Sequence, residues 1–250
     1  MAERRTSKGY GNSQPLISLV FAYYENPEML TLQLSVISEY PRDIREQLEV
    51  IIVDDASPRF PAADVPRLPG LPELRIFRIT NDVRWNQDAA RNIGAFEADG
   101  SWLFLTDIDH VVPGETLQSL LAMEKDPSVF YTFARKKYGG MELREPHPNS
   151  YFMARDLYWS IGGHDEDYAG IYGKDFLFRK RALKLSREIL LKDLFLDRVG
   201  SKIVSDAGTR TITRHNTLRQ RVWGYVLQWL KAAKLWRGVQ TLTEEYRRVV

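Results

Sequence analysis

The chain has 250 residues, 44% of them hydrophobic and 27% charged, which is typical of a globular protein with one large domain. It contains no cysteine, which excludes disulfides and thiolate metal sites. The net charge of +2 is uneven, because residues 210–250 hold nine Lys/Arg and two Asp/Glu while the first 209 residues carry a net −5. An acidic body disfavours a general nucleic-acid binder, and we expect no nucleic-acid partner.

The N-terminal residues 1–14 are polar and basic, with no apolar run behind them. This pattern predicts a mobile tail, and it is not typical of a signal peptide or a membrane anchor. No stretch approaches the ~18 apolar residues that span a bilayer. We therefore expect a cytoplasmic protein that could also contact the inner face of a membrane peripherally.

Apolar runs and helical patterns alternate through the first half of the chain. Strands are predicted at 16–22, 48–55, 74–79 and 102–109, helices at 26–40 and 86–100, and a loop with five prolines at 57–72. Asn86 is a possible cap of the second helix. This order is typical of an α/β fold with a mostly parallel sheet and helices on both faces.

Two acidic pairs follow predicted strands: Asp54 with Asp55, and Asp107 with Asp109. Ligands of open α/β sheets bind outside the carboxyl ends of the strands, so both pairs are expected at one edge. Two carboxylates two residues apart can face one hard cation, and a divalent cation there can neutralise a diphosphate leaving group. Each pair could instead form turns, because Asp bonds its own backbone.

Four motifs in order carry a resemblance to a known family. They are "LISLVFAYYENPEML", "EVIIVDDAS", "NQDAARNIGAFEADGSWLFLTDID" and "GGHDEDYAGIYGKDFLFRKR". Over about residues 16–181 the chain resembles the family 2 type of glycosyltransferases with the GT-A fold. The resemblance implies a Rossmann-like nucleotide-binding sheet, a nucleotide-sugar donor with UDP as the first candidate nucleotide, and Mn²⁺ or Mg²⁺ as cofactor. It also implies a hydroxyl acceptor, which could be a glycan, a lipid-linked molecule or another compound.

The resemblance also assigns residues to the donor. In the family, the ends of the first two strands hold the base and ribose, which here implicates Ala22, Tyr23, Asp54 and Asp55. The match to the family's Ala-Arg-Asn motif places Arg91 beside the nucleotide. Arg91 could instead be a solvent-exposed helix residue.

The D-x-D motif of the family corresponds to residues 107–109. By this analogy, Asp109 is a direct metal ligand, and Asp107 contacts the ribose or a metal-bound water and is a second candidate ligand. His215 is the candidate third ligand, although a lone histidine is more often polar surface. His110 follows the motif and is expected to point away from the metal.

The acceptor side resembles the family's Gly-Gly-x-Asp turn. Gly163 supplies backbone freedom where an acceptor must approach closely. Asp165 matches the Asp of this turn and could act there or only shape the turn. Glu166 and Asp167 complete an acidic run, which we expect to be a solvated loop.

The segment "YGKDFLFRKR" departs from the family, which commonly has Gly-Glu-Asp. Lys174 replaces the Glu on the acceptor side, and Leu177 replaces a later acid. Asp175 matches the general base that would take the proton of the acceptor hydroxyl, a contribution of ~10²–10⁴-fold. The match implies inversion at the anomeric carbon, although some retaining enzymes share the fold. Asp175 could also cap the following helix.

The C-terminal segment predicts an amphipathic helix. Its apolar stripe is Leu218, Val222, Tyr225, Val226, Trp229, Ala233 and Trp236. We expect this stripe to pack on the body. Trp223 and Leu227 lie on the other face among Lys231 and Lys234, which would suit an anionic membrane or a partner enzyme through residues 218–237.

Together these patterns predict three parts: a tail at 1–14, a GT-A catalytic domain at 15–209, and a basic amphipathic helical segment at 210–250. The catalytic domain would divide into a nucleotide-sugar half (15–113) and an acceptor half (114–209). The predicted function is a metal-dependent, inverting, hexosyltransferase-like glycosyltransferase. A non-catalytic sugar-nucleotide-binding protein is an alternative because of Lys174. A nucleotidyltransferase is disfavoured because the first strand is not followed by a glycine-rich basic loop.

Overall fold

The computed structural model describes residues 16–174, 176–205 and 216–250. The strands are β1 (Ile17–Tyr23), β2 (Leu48–Asp54), β3 (Glu73–Ile79), β4 (Trp102–Asp107), β5 (His110–Val111), β6 (Val129–Lys137), β7 (Leu143–Arg144), β8 (Tyr151–Ala154), β9 (Arg187–Arg198) and β10 (Tyr246–Arg248). The helices are α1 (Pro27–Ser38), α2 (Arg42–Arg45), α3 (Gln87–Glu97), α4 (Gly114–Ala122), α5 (Arg155–Ile161), α6 (Phe176–Leu185) and α7 (Leu218–Ala232). The tail predicted at 1–14 lies outside the described residues.

The strands of the described part of the chain form one sheet in the order β10-β3-β2-β1-β4-β8-β6-β9-β5, with β7 paired to β6. The four strands β3, β2, β1 and β4 are parallel, as predicted for the first half. Beyond β4 the sheet is mixed, because β8 pairs antiparallel with both β4 and β6, while β6 and β9 run parallel. The sheet is continuous across the predicted boundary at 113–114, and the division into halves stays a prediction.

Helices cover both faces of the sheet, as expected. Alternate residues of β1 face opposite layers, since Leu19 packs in one core cluster and Val20 in the other. The first cluster includes Leu34 of α1 and Leu117 of α4. The second includes Ile93 of α3 and Tyr158 of α5. This two-sided burial explains why the parallel strands are almost continuously apolar.

The two central helices begin in different ways. In α1 the Asn26 side chain accepts the Met29 N–H at 3.2 Å, which caps the helix start. The side chain of Asn86 makes no capping hydrogen bond in α3, so the expected cap is wrong. Its backbone N–H instead donates to Asp55 at 3.1 Å, which joins the start of α3 to the end of β2.

The C-terminal segment departs most from expectation. Helix α7 ends at Ala232, before Trp236, and the chain then returns to the sheet, where β10 pairs antiparallel with β3. Val249 and Val250 pack against the main core cluster. Residues 246–250 therefore cover the β3 edge of the sheet. None of the helices in the described ranges has the length and apolar character needed to cross a bilayer.

Candidate functional site

The carboxyl ends of β1, β2 and β4 meet at one edge of the sheet. In the strand register Ala22 lies opposite Asp107, and Tyr23 lies opposite Asp54. The prediction that the two acidic pairs share an edge is therefore confirmed. The surroundings of each carboxylate decide what it could bind.

Asp54 shapes the loop that follows β2. Its Oδ1 accepts the Ser57 N–H and its Oδ2 accepts the Ala62 N–H, both at 2.8 Å, and the residue is buried. Burial raises the pKa of Asp54. Tyr23 fixes the same loop, since its hydroxyl donates to the Phe60 carbonyl at 2.6 Å. These contacts match the turn-forming alternative for Asp54, because both of its oxygens already accept backbone hydrogen bonds.

Asp55 is buried beside Asp54 and has spare hydrogen-bonding capacity. Its Oδ2 accepts the Asn86 N–H, whereas its buried Oδ1 has no hydrogen-bond partner among the described residues. Burial, with the nearby charges of Asp82 and Asp54, raises the pKa of Asp55 to about 8. A buried acceptor without a donor costs free energy, so this oxygen is well suited to an incoming N–H group.

Arg91 is buried in α3 and is 1% exposed, which excludes the solvent-exposed alternative. Its Nη2 donates to Oδ1 of Asp107, so the guanidinium holds the first acid of the D-x-D. One turn further along α3, a Cβ on Gly94 would lie 2.3 Å from Cγ1 of Val20. Glycine there lets α3 press against β1, which brings Arg91 to the sheet edge.

Two histidines flank the D-x-D. Nδ1 of His110 lies 2.7 Å from Oδ1 of Asp109, and Nε2 of His147 lies 3.3 Å from Oδ2 of Asp107. The two imidazole centroids are 4.1 Å apart, and His147 also bonds Ser150 at 3.0 Å. The expectation that His110 points away from the motif is therefore wrong. His147 had no sequence signal at all, because only the fold brings it to the motif.

Hydrogen bonding and nearby charge favour an anionic Asp109 beside a neutral His147. Burial and the neighbouring His110 lower the pKa of His147 to about 2, so its imidazole is uncharged. Burial raises the pKa of Asp109, but its hydrogen bond to His110 and the nearby charge of Arg198 outweigh this effect, and the pKa is lowered. Asp109 therefore stays ionised at neutral pH.

The D-x-D fits a metal held jointly with a diphosphate. The side chains of Asp107 and Asp109 are 28% and 35% exposed, so their oxygens reach solvent. Within the described residues, no three His, Cys, Asp or Glu side chains are grouped to enclose a metal. A preformed cage is not required, because Mg²⁺ commonly binds one or two carboxylates and completes its shell with phosphate oxygens and water. His215, the predicted third ligand, lies outside the described residues.

The Gly-Gly turn packs directly on α3. Gly163 has φ +64, and a Cβ there would lie 2.7 Å from Oδ1 of Asn92. That oxygen accepts the His164 N–H at 2.8 Å and the Tyr158 hydroxyl at 2.6 Å. Glycine at this position thus serves the contact with Asn92, the residue after Arg91. Helix α3 and the Gly-Gly turn are joined by this contact.

The acidic run after the turn binds the C-terminal segment. Lys231 lies 2.8 Å from Asp165 and 2.7 Å from Asp167, and Arg237 also pairs with Asp167. Glu166 and the Asp167 side chain are each only 5% exposed. The expected solvated loop is therefore wrong for both residues. The basic C-terminal segment finds its counter-charges here.

Lys174, the residue that departs from the family pattern, contacts α7. Its Nζ lies 3.4 Å from Oε1 of Gln228 and 4.7 Å from the centroid of the Tyr225 ring, and its stem packs beside Gly224. Burial lowers the pKa of Lys174. Asp175, the predicted general base, lies outside the described residues.

Comparison with known proteins adds to this geometry. The model of the family described as "Glycosyl transferase family 2" matches residues 19–188, more than half of the chain. The chain belongs to glycosyl transferase family 2. No curated protein matches it.

Solved structures show the same fold. The mannosyltransferase PcManGT from Pyrobaculum calidifontis, in complex with GDP-Man and Mn²⁺, has a TM-score of 0.59 at 20% identity, covering 92% of this chain and 69% of that one. S. aureus TarS 1-349 has a TM-score of 0.60 at 17% identity, covering 74% of this chain and 61% of that one. The match thus spans less than two thirds of TarS 1-349. Its complex with UDP-GlcNAc has a TM-score of 0.58 at 16% identity, with coverages of 74% and 58%. The GT-A fold is thereby confirmed for this family member.

Proposed function

We propose that this family 2 member transfers a sugar from a nucleotide-diphospho-sugar, in the first place a UDP-sugar, to an acceptor hydroxyl with Mn²⁺ or Mg²⁺. The observation that carries the proposal is the half-exposed pair Asp107 and Asp109 at the carboxyl end of β4, beside the buried carboxylate of Asp55. The PcManGT structure holds GDP-Man with Mn²⁺, and one TarS structure holds UDP-GlcNAc.

The contacts of Asp55, Asp107 and Arg91 support the proposed donor site. Oδ1 of Asp55 would accept an N–H of the base once the carboxyl is ionised, so nucleotide binding would supply its missing hydrogen bond and favour loss of the proton that the buried group otherwise keeps. Asp109, with Asp107, would hold the metal, which supplies charge neutralisation to the departing diphosphate. Arg91 would keep Asp107 oriented through their buried ion pair. Ala22 and Tyr23, at the end of β1, would line the nucleotide site.

The chemical step requires a base on the acceptor. The acceptor oxygen would form a bond to the anomeric carbon while its proton passes to Asp175, and the bond from that carbon to the diphosphate oxygen would break. Attack opposite the leaving group gives inversion. Gly163, Asp165 and Lys174 would border the acceptor, although Asp165 already pairs with Lys231.

The acceptor could be a glycan, a lipid-linked molecule or another hydroxyl compound. A cytoplasmic location, with residues 218–237 meeting a membrane or a partner enzyme, stays a prediction. A non-catalytic sugar-nucleotide-binding protein is the second candidate, because Lys174 replaces the family's Glu and contacts α7.

The metal part is tested by calorimetry of UDP with and without Mn²⁺. Asp109→Ala should abolish the metal dependence while the protein stays folded, and Asp193→Ala, at an exposed acid elsewhere, should leave it intact. Equal metal dependence in Asp109→Ala and the unaltered chain would remove the D-x-D assignment.

The catalytic part is tested with Asp175→Asn and a panel of sugar nucleotides. The variant should keep donor affinity but lose transfer by ~10²–10⁴-fold, the range for general-base catalysis. Near-normal transfer would instead favour the helix-cap role, because Asn caps nearly as well. If the unaltered chain binds donors with metal but neither transfers nor hydrolyses them, the non-catalytic alternative is correct.

A further inference from the structure

The predicted orientation of α7 is reversed in the structure. Leu227 is 1% exposed and packs with Tyr168, Ile171 and Leu177, whereas it was expected to face outward. The stripe expected to be buried is exposed instead, and its large members are Leu218, Val222, Tyr225, Val226 and Trp229, between 40% and 72% exposed. A continuous apolar helix face of this kind commonly marks an interaction surface.

A basic cavity lies next to this helix. Its volume is about 460 Å³, and it lies between α6 and the segment from the end of α7 to Val239. Among the described residues, six cationic side chains and one acid, Asp165, line it; the cations are Lys180, Arg181, Lys184, Lys231, Lys234 and Arg237. A concave surface with such an excess of one charge attracts anions.

Three of these cations are already engaged and three are not. Lys231 and Arg237 pair with the acidic run, and Arg181 donates to the Gly163 carbonyl. Lys180, Lys184 and Lys234 form no ion pair within the described ranges. The three lysines are exposed at the rim, so their charge is available to a ligand from outside.

The cavity adjoins a pair of partly exposed tryptophans at α7. Trp236 lines the cavity, and its ring lies 5.9 Å from that of Trp223 on α7. The sequence from Leu218 to Thr243 contains five Lys/Arg and no Asp or Glu. Exposed aromatic and aliphatic side chains beside unpaired lysines are the chemistry that anionic bilayers select.

We propose that the cavity lined by Lys180, Lys184 and Lys234 binds the phosphate headgroup of an anionic phospholipid while the exposed face of α7 inserts among the acyl chains. This docking does not depend on the proposed glycosyl transfer, since vesicle binding needs no donor. It would hold the Gly-Gly turn at the membrane surface, because Arg181 and Asp165 belong to both the turn contacts and the cavity wall.

The test is co-sedimentation of the full chain with phosphatidylcholine vesicles that contain or lack phosphatidylglycerol. Binding should require phosphatidylglycerol and weaken as salt is raised. Lys180→Gln, Lys184→Gln and Lys234→Gln should each weaken it about fivefold, since each cation near an anionic surface contributes ~1 kcal/mol. Trp229→Ser should weaken it at high salt as well. Melting temperature and UDP affinity should not change in the lysine variants.

The matched control is Lys137→Gln, Lys192→Gln and Lys202→Gln, exposed lysines that do not line the cavity. If the triple variant of the three control lysines lost as much vesicle binding as the triple variant of Lys180, Lys184 and Lys234, the headgroup site would be overturned. Equal binding to vesicles without phosphatidylglycerol would overturn it too. If inorganic pyrophosphate raised the melting temperature of the unaltered chain but not of the cavity-lysine variants, and vesicles did not bind, the ligand would be a free phosphate compound and the membrane proposal would be overturned. If light scattering showed a dimer that Trp229→Ser dissociates, and vesicles did not bind, the apolar face would be assigned to a second copy of the chain. This result would also overturn the membrane proposal.

Discussion

Glu166→Gln tests how the C-terminal segment is held on the body. The carboxylate accepts four hydrogen bonds: from the Asn92 side chain at 2.6 Å, the Leu242 N–H at 2.7 Å, and the Thr243 N–H and hydroxyl at 2.7 and 2.5 Å. The substitution keeps the shape of the side chain but removes its charge. It also turns an amide N–H₂ toward groups that donate.

The expected loss follows from these bonds. A hydrogen bond to a charged acceptor contributes ~1.5–3 kcal/mol, and a neutral one ~0.5–1.5 kcal/mol. Weakening four bonds and leaving one buried N–H unsatisfied should lower the free energy of unfolding by about 2–4 kcal/mol, allowing for non-additivity. The loss should first appear as local release of the segment, because Glu166 contacts the stretch that leads into β10.

Two measurements check this prediction. Urea unfolding gives the change in free energy, and limited trypsin digestion reports release of β10 through cleavage at Arg247 and Arg248. Glu245→Gln is the control, because Glu245 lies in the same segment with an exposed side chain and should change stability by less than about 0.5 kcal/mol. If Glu166→Gln matched this control in both measurements, Glu166 would not be an anchor of the segment.

Three further predictions address single contacts. Burial raises the pKa of Asp55 to about 8, so the folded chain keeps a proton that the unfolded chain loses above pH ~4. The free energy of unfolding should therefore fall as the pH rises to about 8, by at most ~1.4 kcal/mol per pH unit. Asp55→Asn should remove this slope in urea unfolding from pH 5.5 to 8.5. Lys231→Met should cost ~3–5 kcal/mol because it leaves the buried carboxylate of Asp165 without its cation, while Asp167 keeps Arg237. Lys234→Met should be nearly neutral, and equal melting temperatures of the two variants would refute this prediction. Gly163→Ala should destabilise more than Gly173→Ala in thermal unfolding, since both have positive φ but only the first would bring a Cβ against Asn92, and a reversed order would contradict it.

Features that depend on local sequence pattern were predicted correctly from the sequence. Buried parallel strands read as apolar runs, so β1 to β4 were found within one or two residues, and the acids that follow them were placed on one edge. Asp54 and Asp55 could not be separated in this way. One serves the turn and the other keeps a free oxygen, and the difference depends on Ser57, Ala62 and Asn86.

Long-range partners explain most of the errors. The acidic run looked solvated because its counter-charges lie more than 60 positions later, at Lys231 and Arg237. The same ion pairs explain the reversed face of α7. A count of apolar residues favours burying the stripe with Trp229, but Lys231 lies on the other face and must reach Asp165. Gly224 on that face allows close packing on Ile171, and Leu227 then fills the contact.

The arrangement of α3 suggests why these contacts matter for chemistry. Arg91 holds Asp107 of the D-x-D, and the next residue, Asn92, donates to Glu166 and bonds the Gly-Gly turn. Two consecutive side chains of α3 thus contact both the D-x-D and the Gly-Gly turn. Because Glu166 also binds the C-terminal segment, a displacement of that segment would act on the turn through one shared hydrogen-bond network. The donor and acceptor of the proposed transfer must be held in one reactive geometry, and a connection of this kind would favour that geometry.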